Sequence, residues 1–485
     1  MKVDVVIIGS GTAGLSALRE VRRETEDLLL INDGHWGTTC AAVGCMPSKA
    51  LIEAANAWHH RHRFAAFGIS GAERLAVDVP RVLARVRRLR DRFVKGPEGV
   101  RAELGRRAIG GRARLAGPGR VVIESGERAG ETIEARAVIL APGSRPAVPD
   151  AWRAFGDRIL TSDTLFELRD LPRRVAVIGM GAIGVETAQA LARLGMEVAC
   201  FGAGDRLAGI GDAKVNAVLR EALARECALH LGTRAELSGT PQGRGAIRVT
   251  AGAATFDADA VLAAMGRRPQ VEGLGLETLG VPLDERGLPA LDPRTLQVGE
   301  LPVWLAGDGN GDRPVLHEAA DEGHIAGRNA VADGRLVHVR RTELAIVFSE
   351  PGVARVGPGL ARLDPARIAI GEVDFSRQGR AIVCERAEGL LRLYAERDSG
   401  RLAGAEMCAP AAEHLAHLLA LGMDRELSVH QMLAMPFYHP VLEEGLRTAL
   451  RDAGRQVGGG SGSDLTPDKS LTLARCPPLG IEALE

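Results

Sequence analysis

Lysine is nearly missing from this chain. Of its 61 basic residues only five are Lys, at positions 2, 49, 95, 214 and 469, and the other 56 are Arg. Such a bias follows genome base composition more than chemistry, so each Lys that survives asks for a reason. Net charge is missing too: 61 basic against 62 acidic residues leave −1, which excludes the electrostatic footprint of a nucleic-acid binder. Seven Cys in 485 residues exclude a disulfide-stapled secreted scaffold. No apolar run approaches the ~20 residues of a membrane span. The strand-like run VDVVIIG begins at residue 3 with no basic segment before it and no cleavage site after it. The expectation is a protein of the reducing cytoplasm, without membrane or nucleic-acid partners, in which a disulfide is catalytic rather than structural.

What is present is a repeat. The strand VDVVIIG runs into Gly9-Ser10-Gly11-Thr12-Ala13-Gly14, then a helical pattern, then the strand DLLLIND. Later RVAVI (174–178) runs into Gly179-Met180-Gly181-Ala182-Ile183-Gly184, a second helical pattern and EVACF. Each copy has an exit strand ending in Gly, AVILAPGSRP (137–146) and AVLAAMGRRP (260–269), and a third segment, VWLAGDGNGD (303–312), ends in a carboxylate. A lone GxGxxG means little in a chain with 60 Gly. Two, each between an apolar strand and a helix, predict two mononucleotide-binding βαβ units whose glycines let backbone N–H groups approach a pyrophosphate. The acid that usually follows to hold a ribose is replaced by Asn32, with Asp33 beside it, in the first copy and by Gly202 in the second. Asp205 and Arg206 lie near the second position and favour opposite cofactors.

The stretch GTTCAAVGCMPSK (37–49) places Cys40 and Cys45 five apart, ahead of a Pro and a helical pattern. A helix N-terminus favours thiolate on Cys45, and a thiolate beside a second thiol is a disulfide exchanger. The bland alternatives are a metal half-site or two structural thiols. No second Cys/His pair with zinc spacing accompanies them, and the expectation is no metal. Cys200, Cys227, Cys384, Cys408 and Cys476 read as structural. Near the C-terminus FYHPVLEE (437–444) supplies His439, with a base's pKa range, and carboxylates able to orient it.

GTTCAAVGCMPSK resembles the redox-disulfide signature of the class I flavin disulfide reductases, and the order of the other motifs matches that family over roughly residues 3–455. The resemblance implies an α/β fold: two Rossmann-like FAD- and NAD(P)-binding domains plus a C-terminal α+β dimerisation domain. It places the FAD domain at 1–150 and again at 271–337, the NAD(P) domain at 151–270 and the dimerisation domain at 338–457, ahead of a flexible linker and tail at 458–485.

The resemblance also assigns roles. Gly9, Gly11, Gly14, Asn32 or Asp33, Lys49, Ala113, Gly143 and Asp308 would hold FAD. Gly179, Gly181, Gly184 and Gly266 would hold NAD, with NADP as the alternative. Cys45 is the thiol nearest the flavin and Cys40 the one that exchanges with substrate, while Lys49 pairs with Glu186. His439 with Glu444, the acid five residues on, is the acid–base pair, working across the interface of a homodimer. His317 and Glu322 match a helix beneath the flavin ring, His317 reading as structural. The PSK ending leans towards the dihydrolipoamide-oxidising members, with a lipoyl-bearing protein or small disulfide as partner. The alternatives are an NADPH-dependent reductase of another disulfide or a quinone, and a non-catalytic flavoprotein subunit that docks a lipoyl complex.

Overall fold

Val5 to Ile8 are fully buried or nearly so, as the central strand of a parallel sheet covered on both faces must be. They belong to β1 (Lys2–Ile8) of a computed structural model that describes residues 1–240, 245–332 and 335–457. The linker and tail expected at 458–485 lie outside the described residues. Two compact units emerge, one of Met1–Ala208 with Leu223–Arg340, the other of Gly209–Ala222 with the chain from Arg341 onward.

In the first unit β1 is followed by α1 (Thr12–Val21), β2 (Leu28–Asn32), α2 (Thr39–Ala42), α3 (Cys45–His59) and α4 (Val79–Leu104). Then come β3 (Ala108–Gly110), β4 (Ala113–Leu115), β5 (Arg120–Ile123) and β6 (Thr132–Leu140). The sheet order is β3-β2-β1-β6-β5-β4, and β17 (Val303–Leu305) also pairs β6. After β7 (Ser144–Pro146), β8 (Ile159–Leu160) and α5 (Ser162–Leu165), the second parallel sheet forms from β9 (Arg174–Ile178), β10 (Glu197–Gly202), β11 (Ala228–Leu231) and β15 (Ala260–Ala263), in the order β11-β10-β9-β15-β8. Helix α6 (Ala182–Arg193) follows β9, and α7 (Ala213–Ala224), which precedes β11 in the chain, belongs up to Ala222 to the second unit. A small antiparallel sheet, β12 (Glu236–Ser238), β13 (Ile247–Ala251) and β14 (Ala254–Ala258), leads into β15. In both parallel sheets the strand that carries the glycines has neighbours on either side that the chain reaches in opposite directions, the switch point where such sheets bind ligands. The two exit strands continue into β7 and β16 (Arg267–Pro269), which pair antiparallel with Pro269 opposite Ser144.

Helix α4 has no counterpart in the sequence reading. Asp78 caps it by accepting from the Arg81 N–H at 3.0 Å, and Pro80 stands in its first turn, both ordinary start signals. Gly96-Pro97 reads as a break, yet Pro97 lies inside the helix. Leu83 and Val86 are fully buried on the side packed against α3.

The second unit is an antiparallel sheet, β18 (Leu344–Val347), β19 (Gly352–Val356), β20 (Ile368–Asp374), β21 (Leu390–Glu396) and β22 (Leu402–Ala409), ordered β18-β19-β22-β21-β20. Helices α9 (Gly379–Val383), α10 (Ala412–Asp424), α11 (Val429–Leu433) and α12 (Glu444–Gly454) complete it. Helix α10 packs on β19 and β22, and α12 on β20 and β21. Strand β22 carries Glu406 inside an otherwise apolar run. That carboxylate is fully buried and is satisfied: it accepts from the Gly211 and Leu360 N–H groups and from the Tyr394 hydroxyl.

Candidate active site

The two glycine turns are built alike, bond for bond. Gly9 N–H donates to Ile31 O at 2.8 Å, and Gly179 N–H to Phe201 O at 2.8 Å. Both residues have φ near +100°, and a Cβ on either would strike the exit strand, 2.1 Å from Ala141 O and 2.4 Å from Ala264 O. A Cβ on Gly14 or Gly184 would fall within 2 Å of the first glycine's carbonyl. The middle glycines, Gly11 and Gly181, face open space and begin α1 and α6 with no side-chain cap and no acid in the first turn. Each turn thus leaves a helix N-terminus bare at a cradle with no side chain over it, which fits a dinucleotide pyrophosphate.

The residues expected at the riboses behave differently. The Asn32 carboxamide accepts from Ser10 N–H at 3.0 Å and donates to His35 O at 2.9 Å, tying the first turn to the loop beyond β2. Asp33 is exposed. A Cβ on Gly202 would meet Leu231 Cδ2 at 2.9 Å, so an acid there would have to displace that side chain. Asp205 and Arg206 are both exposed. Ala113 is buried at the start of β4. Gly143 and Gly266 turn the exit strands at φ +70° and +96°, each with nothing over it.

Asp308 follows β17 and accepts a 2.6 Å hydrogen bond from the Ser144 hydroxyl. Arg267 donates to that hydroxyl at 2.8 Å and to Ser144 O at 2.7 Å, and pairs with Asp163 at 3.3 Å. Sequence reasoning missed Ser144 and Arg267. The signal was the matching Gly-Ser-Arg-Pro and Gly-Arg-Arg-Pro endings of the two exit strands, whose continuations pair with each other.

The thiols sit on the short helix α2 and at the first residue of α3. Thr38 caps α2 by accepting from Ala41 N–H at 3.0 Å, which holds Cys40 against the next turn. Cys45 leads α3 with Gly44 before it and no side-chain cap. Both cysteines are free, Cys40 half-buried and Cys45 exposed. Hydrogen bonding from Cys40, the largest cause, and the Lys49 charge lower the Cys45 thiol to about 7. The Cys40 thiol is pushed up, by its hydrogen bond to Cys45 and by burial. The pair is polarised, with Cys45 the more acidic thiol and Cys40 the less acidic one. Lys49 Nζ reaches both Glu186 oxygens, at 3.0 and 2.9 Å, and Glu186 is buried on α6. A second tie, from Arg193 to Asn56 Oδ1 at 2.6 Å, fixes α3 on α6. Lys49→Met should raise the pH at which Cys45 of the reduced protein alkylates by about one unit, the size of one nearby charge at partial burial. Rates of iodoacetamide labelling against pH measure it, and an unchanged midpoint would remove Lys49 from the thiolate's surroundings.

Under the Asp308 turn lies a buried cluster that the motifs do not announce. Glu322, on α8 (Leu316–Val331), is 1% exposed. One of its oxygens accepts from Gly307 N–H at 2.7 Å and Asn310 Nδ2 at 2.6 Å, and the other lies 2.8 Å from the Arg340 guanidinium. Arg340 also reaches Glu318 at 2.7 Å. Burial raises the Glu322 carboxyl to about 7, with Arg340 pulling the other way. Glu322 therefore clamps the turn that carries Asp308. Glu322→Ala should weaken FAD binding by about 10- to 100-fold, two or three buried hydrogen bonds being worth ~1–3 kcal/mol together, and Glu322→Gln should recover most of the loss. Flavin fluorescence during reconstitution of the apoprotein reads this directly. His317 is exposed in the first turn of α8.

His439 and Glu444 belong to the second unit. His439 Nδ1 lies 3.1 Å from each Glu444 carboxylate oxygen, and Glu444 also accepts from Val441 N–H at 3.2 Å. Its bonds to His439 and Val441 hold the Glu444 carboxyl below its ordinary range. The His439 side chain is 81% exposed, so Nε2 is presented outward. Glu443 has no part in the pair. Among the described residues no helix is long and apolar enough to cross a membrane.

Comparison with known proteins gives this arrangement a setting. Residues 3–323 match the family model of pyridine nucleotide-disulphide oxidoreductases, and residues 344–450 match the dimerisation domain of that family. Dihydrolipoyl dehydrogenase 3 of Pseudomonas aeruginosa is 31% identical over 468 residues, covering 93% of this chain and 97% of that protein. The mercuric reductase of Streptomyces lividans is 31% identical over 458 residues, covering 92% and 95%. Among solved structures, LpdA of Mycobacterium tuberculosis superimposes with a TM-score of 0.80 at 26% identity, covering 93% of this chain and 99% of that one. A flavoprotein disulfide reductase, RclA of Escherichia coli, reaches a TM-score of 0.80 at 22% identity over the same shares.

Proposed function

This chain belongs to the pyridine nucleotide-disulphide oxidoreductase family, and from that premise we propose that it oxidises a dihydrolipoyl-type dithiol through a Cys40–Cys45 disulfide, with reduction of NAD⁺. The family uses FAD and NAD(P), and the dimerisation domain supports a homodimer. The observation that carries the reading is the polarised thiol pair, with Lys49 and Glu186 behind it and an exposed His439–Glu444 dyad on the dimerisation domain.

In this reading Gly9, Gly11, Gly14, Lys49, Ala113, Gly143 and Asp308 hold FAD, with Asn32 shaping the loop and Asp33 free to meet the ribose. Gly179, Gly181, Gly184 and Gly266 hold the nicotinamide dinucleotide. The FAD part is residues 1–150 and 271–337, the nicotinamide part 151–270 and the dimerisation part 338–457. FAD supplies the two-electron exchange between the thiol pair and the nicotinamide.

The chain's own residues do the rest. His439, oriented by Glu444, takes a proton from a substrate thiol and serves the thiol pair of the other protomer. The substrate thiolate attacks Cys40 sulfur, and the Cys40–Cys45 bond breaks with its electron pair on Cys45. The second substrate sulfur then attacks the substrate sulfur of the mixed disulfide and displaces Cys40, which takes up the proton held by His439 while the proton of the second substrate thiol passes to His439. Substrate leaves as a disulfide, and the enzyme keeps two electrons as the Cys40 thiol and Cys45 thiolate.

Gly202 supports a second reading. It supplies neither the acid that favours NAD nor an Arg for a 2′-phosphate, and of its exposed neighbours Asp205 and Arg206 the second suits an NADPH-dependent reductase of another disulfide. Steady-state rates with NADH and NADPH against lipoamide, glutathione disulfide and a quinone test both. Lipoamide-specific, NADH-linked turnover supports the first reading, and NADPH-linked turnover of another disulfide replaces it.

A further inference from the structure

We propose that the outward face of α4 is a docking surface for an acidic protein domain that carries the disulfide or dithiol substrate. The proposal rests on the disulfide-exchange reading above and names its partner.

Arg81, Arg85, Arg88, Arg92 and Lys95 recur at spacings of four and three, so they line one side of the helix. All five are exposed. Arg85 donates to Ala50 O at 3.1 Å, but among the described residues none of the five forms an ion pair. The inner flank contrasts with this. Arg87 bonds the carbonyls of Phe166 and Leu168, and Arg90 pairs with Asp91 and Glu167. Of the acids beside the stripe, Asp91 is paired with Arg90, Asp78 caps the helix by accepting from Arg81 N–H, and Glu98 is exposed three residues beyond Lys95. Residues 79–104 hold seven Arg and one Lys against three acids, in a chain whose net charge is −1. Like charges at these spacings oppose helix formation, so the stripe does not serve the helix that bears it. It borders an open depression of about 500 Å³ lined by Arg85, Arg88, Leu89, Asp91, Arg92 and Lys95.

The position is apt. Helix α4 packs on both α3 and α2, the elements that carry Cys45 and Cys40. Pro97, half a turn beyond Lys95, is the nearest side chain to Gly37, with its Cβ 3.0 Å from the point a Cβ there would occupy, and Gly37 lies three residues before Cys40. From Arg81 to Lys95 the stripe is about 21 Å long at 1.5 Å per residue, longer than a small disulfide and suited to the face of a domain. Five unneutralised cations attract an acidic surface and steer its approach.

The test uses the full-length, FAD-loaded protein and the variant Arg88→Glu/Arg92→Glu/Lys95→Glu, with Arg88→Gln/Arg92→Gln as a milder version should the first fold poorly. Two substrates are compared: free dihydrolipoamide, which is neutral, and a recombinant lipoyl domain of net negative charge in its dihydrolipoyl form. Binding of that domain is also followed by titration calorimetry. The charge-reversed variant should lose about 10- to 100-fold in kcat/KM and in affinity for the domain at low salt, while staying within about twofold on free dihydrolipoamide. Raising the salt should erase most of the difference. Wild-type behaviour of the variant towards the domain overturns the proposal. So does tight binding of a nucleic acid to the stripe that the domain cannot displace. If the wild-type protein oxidises neither substrate, the substrate reading fails, and the calorimetric comparison still decides the docking surface.

Discussion

Cys40→Ser should cut turnover of a dithiol or disulfide substrate by about 10³-fold or more, the scale seen when one member of a concerted catalytic group is removed. Cys45→Ser should do the same. Neither should disturb FAD binding, because the dinucleotide cradle is made by Gly9, Gly11, Gly14 and the clamped Asp308 turn, all outside the thiol pair. Transfer of electrons from NADH to a dye or quinone that needs no thiols should remain within about threefold of wild type. The two substitutions differ in one respect. In Cys40→Ser a hydroxyl replaces the thiol that donates to Cys45, so Cys45 keeps Lys49 and a donor and should still ionise near pH 7. In Cys45→Ser the hydroxyl at 45 still accepts from Cys40 but carries no charge, and half-burial leaves Cys40 a thiol across the neutral range. Alkylation rates against pH separate the two. Full disulfide turnover by either variant would make the thiols bystanders and the protein a flavin reductase of another kind.

His439→Gln should lower dithiol oxidation by about 10²–10⁴-fold, the usual weight of a positioned general base, and leave dye reduction alone. The loss should shrink as pH rises past ~8.5, where a substrate thiol ionises unaided. A structural role for His439 would give a loss independent of pH. Glu444→Gln should give a smaller loss of the same kind, since it removes the charge that favours the imidazolium while an amide still reaches Nδ1. The lowered pKa of Glu444 keeps that charge in place throughout the neutral range.

Much of the site could be read from residue types because its requirements fall on the backbone or on reactivity. Only glycine fits at Gly9 and Gly14, or at Gly179 and Gly184, where a Cβ would collide with a carbonyl, so the repeat had to appear in the sequence. Cys40, Cys45 and the His439–Glu444 spacing are rare combinations. The supporting residues were not legible, because their jobs can be done by many side chains. Ser144, Arg267 and Arg340 look like any polar residue until the fold brings distant segments together. Glu322 was visible beside His317, yet its work as a clamp depends on burial. Helix α4, with Gly96-Pro97 inside it and a high density of arginine, and β22, with the buried Glu406 in its run, carry weak local patterns. Scarcity of lysine was a useful prompt but not a specific one. Lys49 bonds the buried Glu186, whereas Lys2 and Lys214 make exposed pairs with Glu134 and Glu372.

The central claim is that Cys40 and Cys45 store the electrons exchanged with substrate, and anaerobic reduction tests it most directly. The FAD-loaded protein is titrated with NADH or dithionite while its absorbance is recorded, then alkylated and mapped by mass spectrometry. At two electrons per FAD the oxidised flavin band should largely persist and a long-wavelength thiolate–flavin absorbance should appear, with Cys40 and Cys45 newly open to alkylation. Bleached flavin at two electrons, with both cysteines as reactive before reduction as after, would contradict the account.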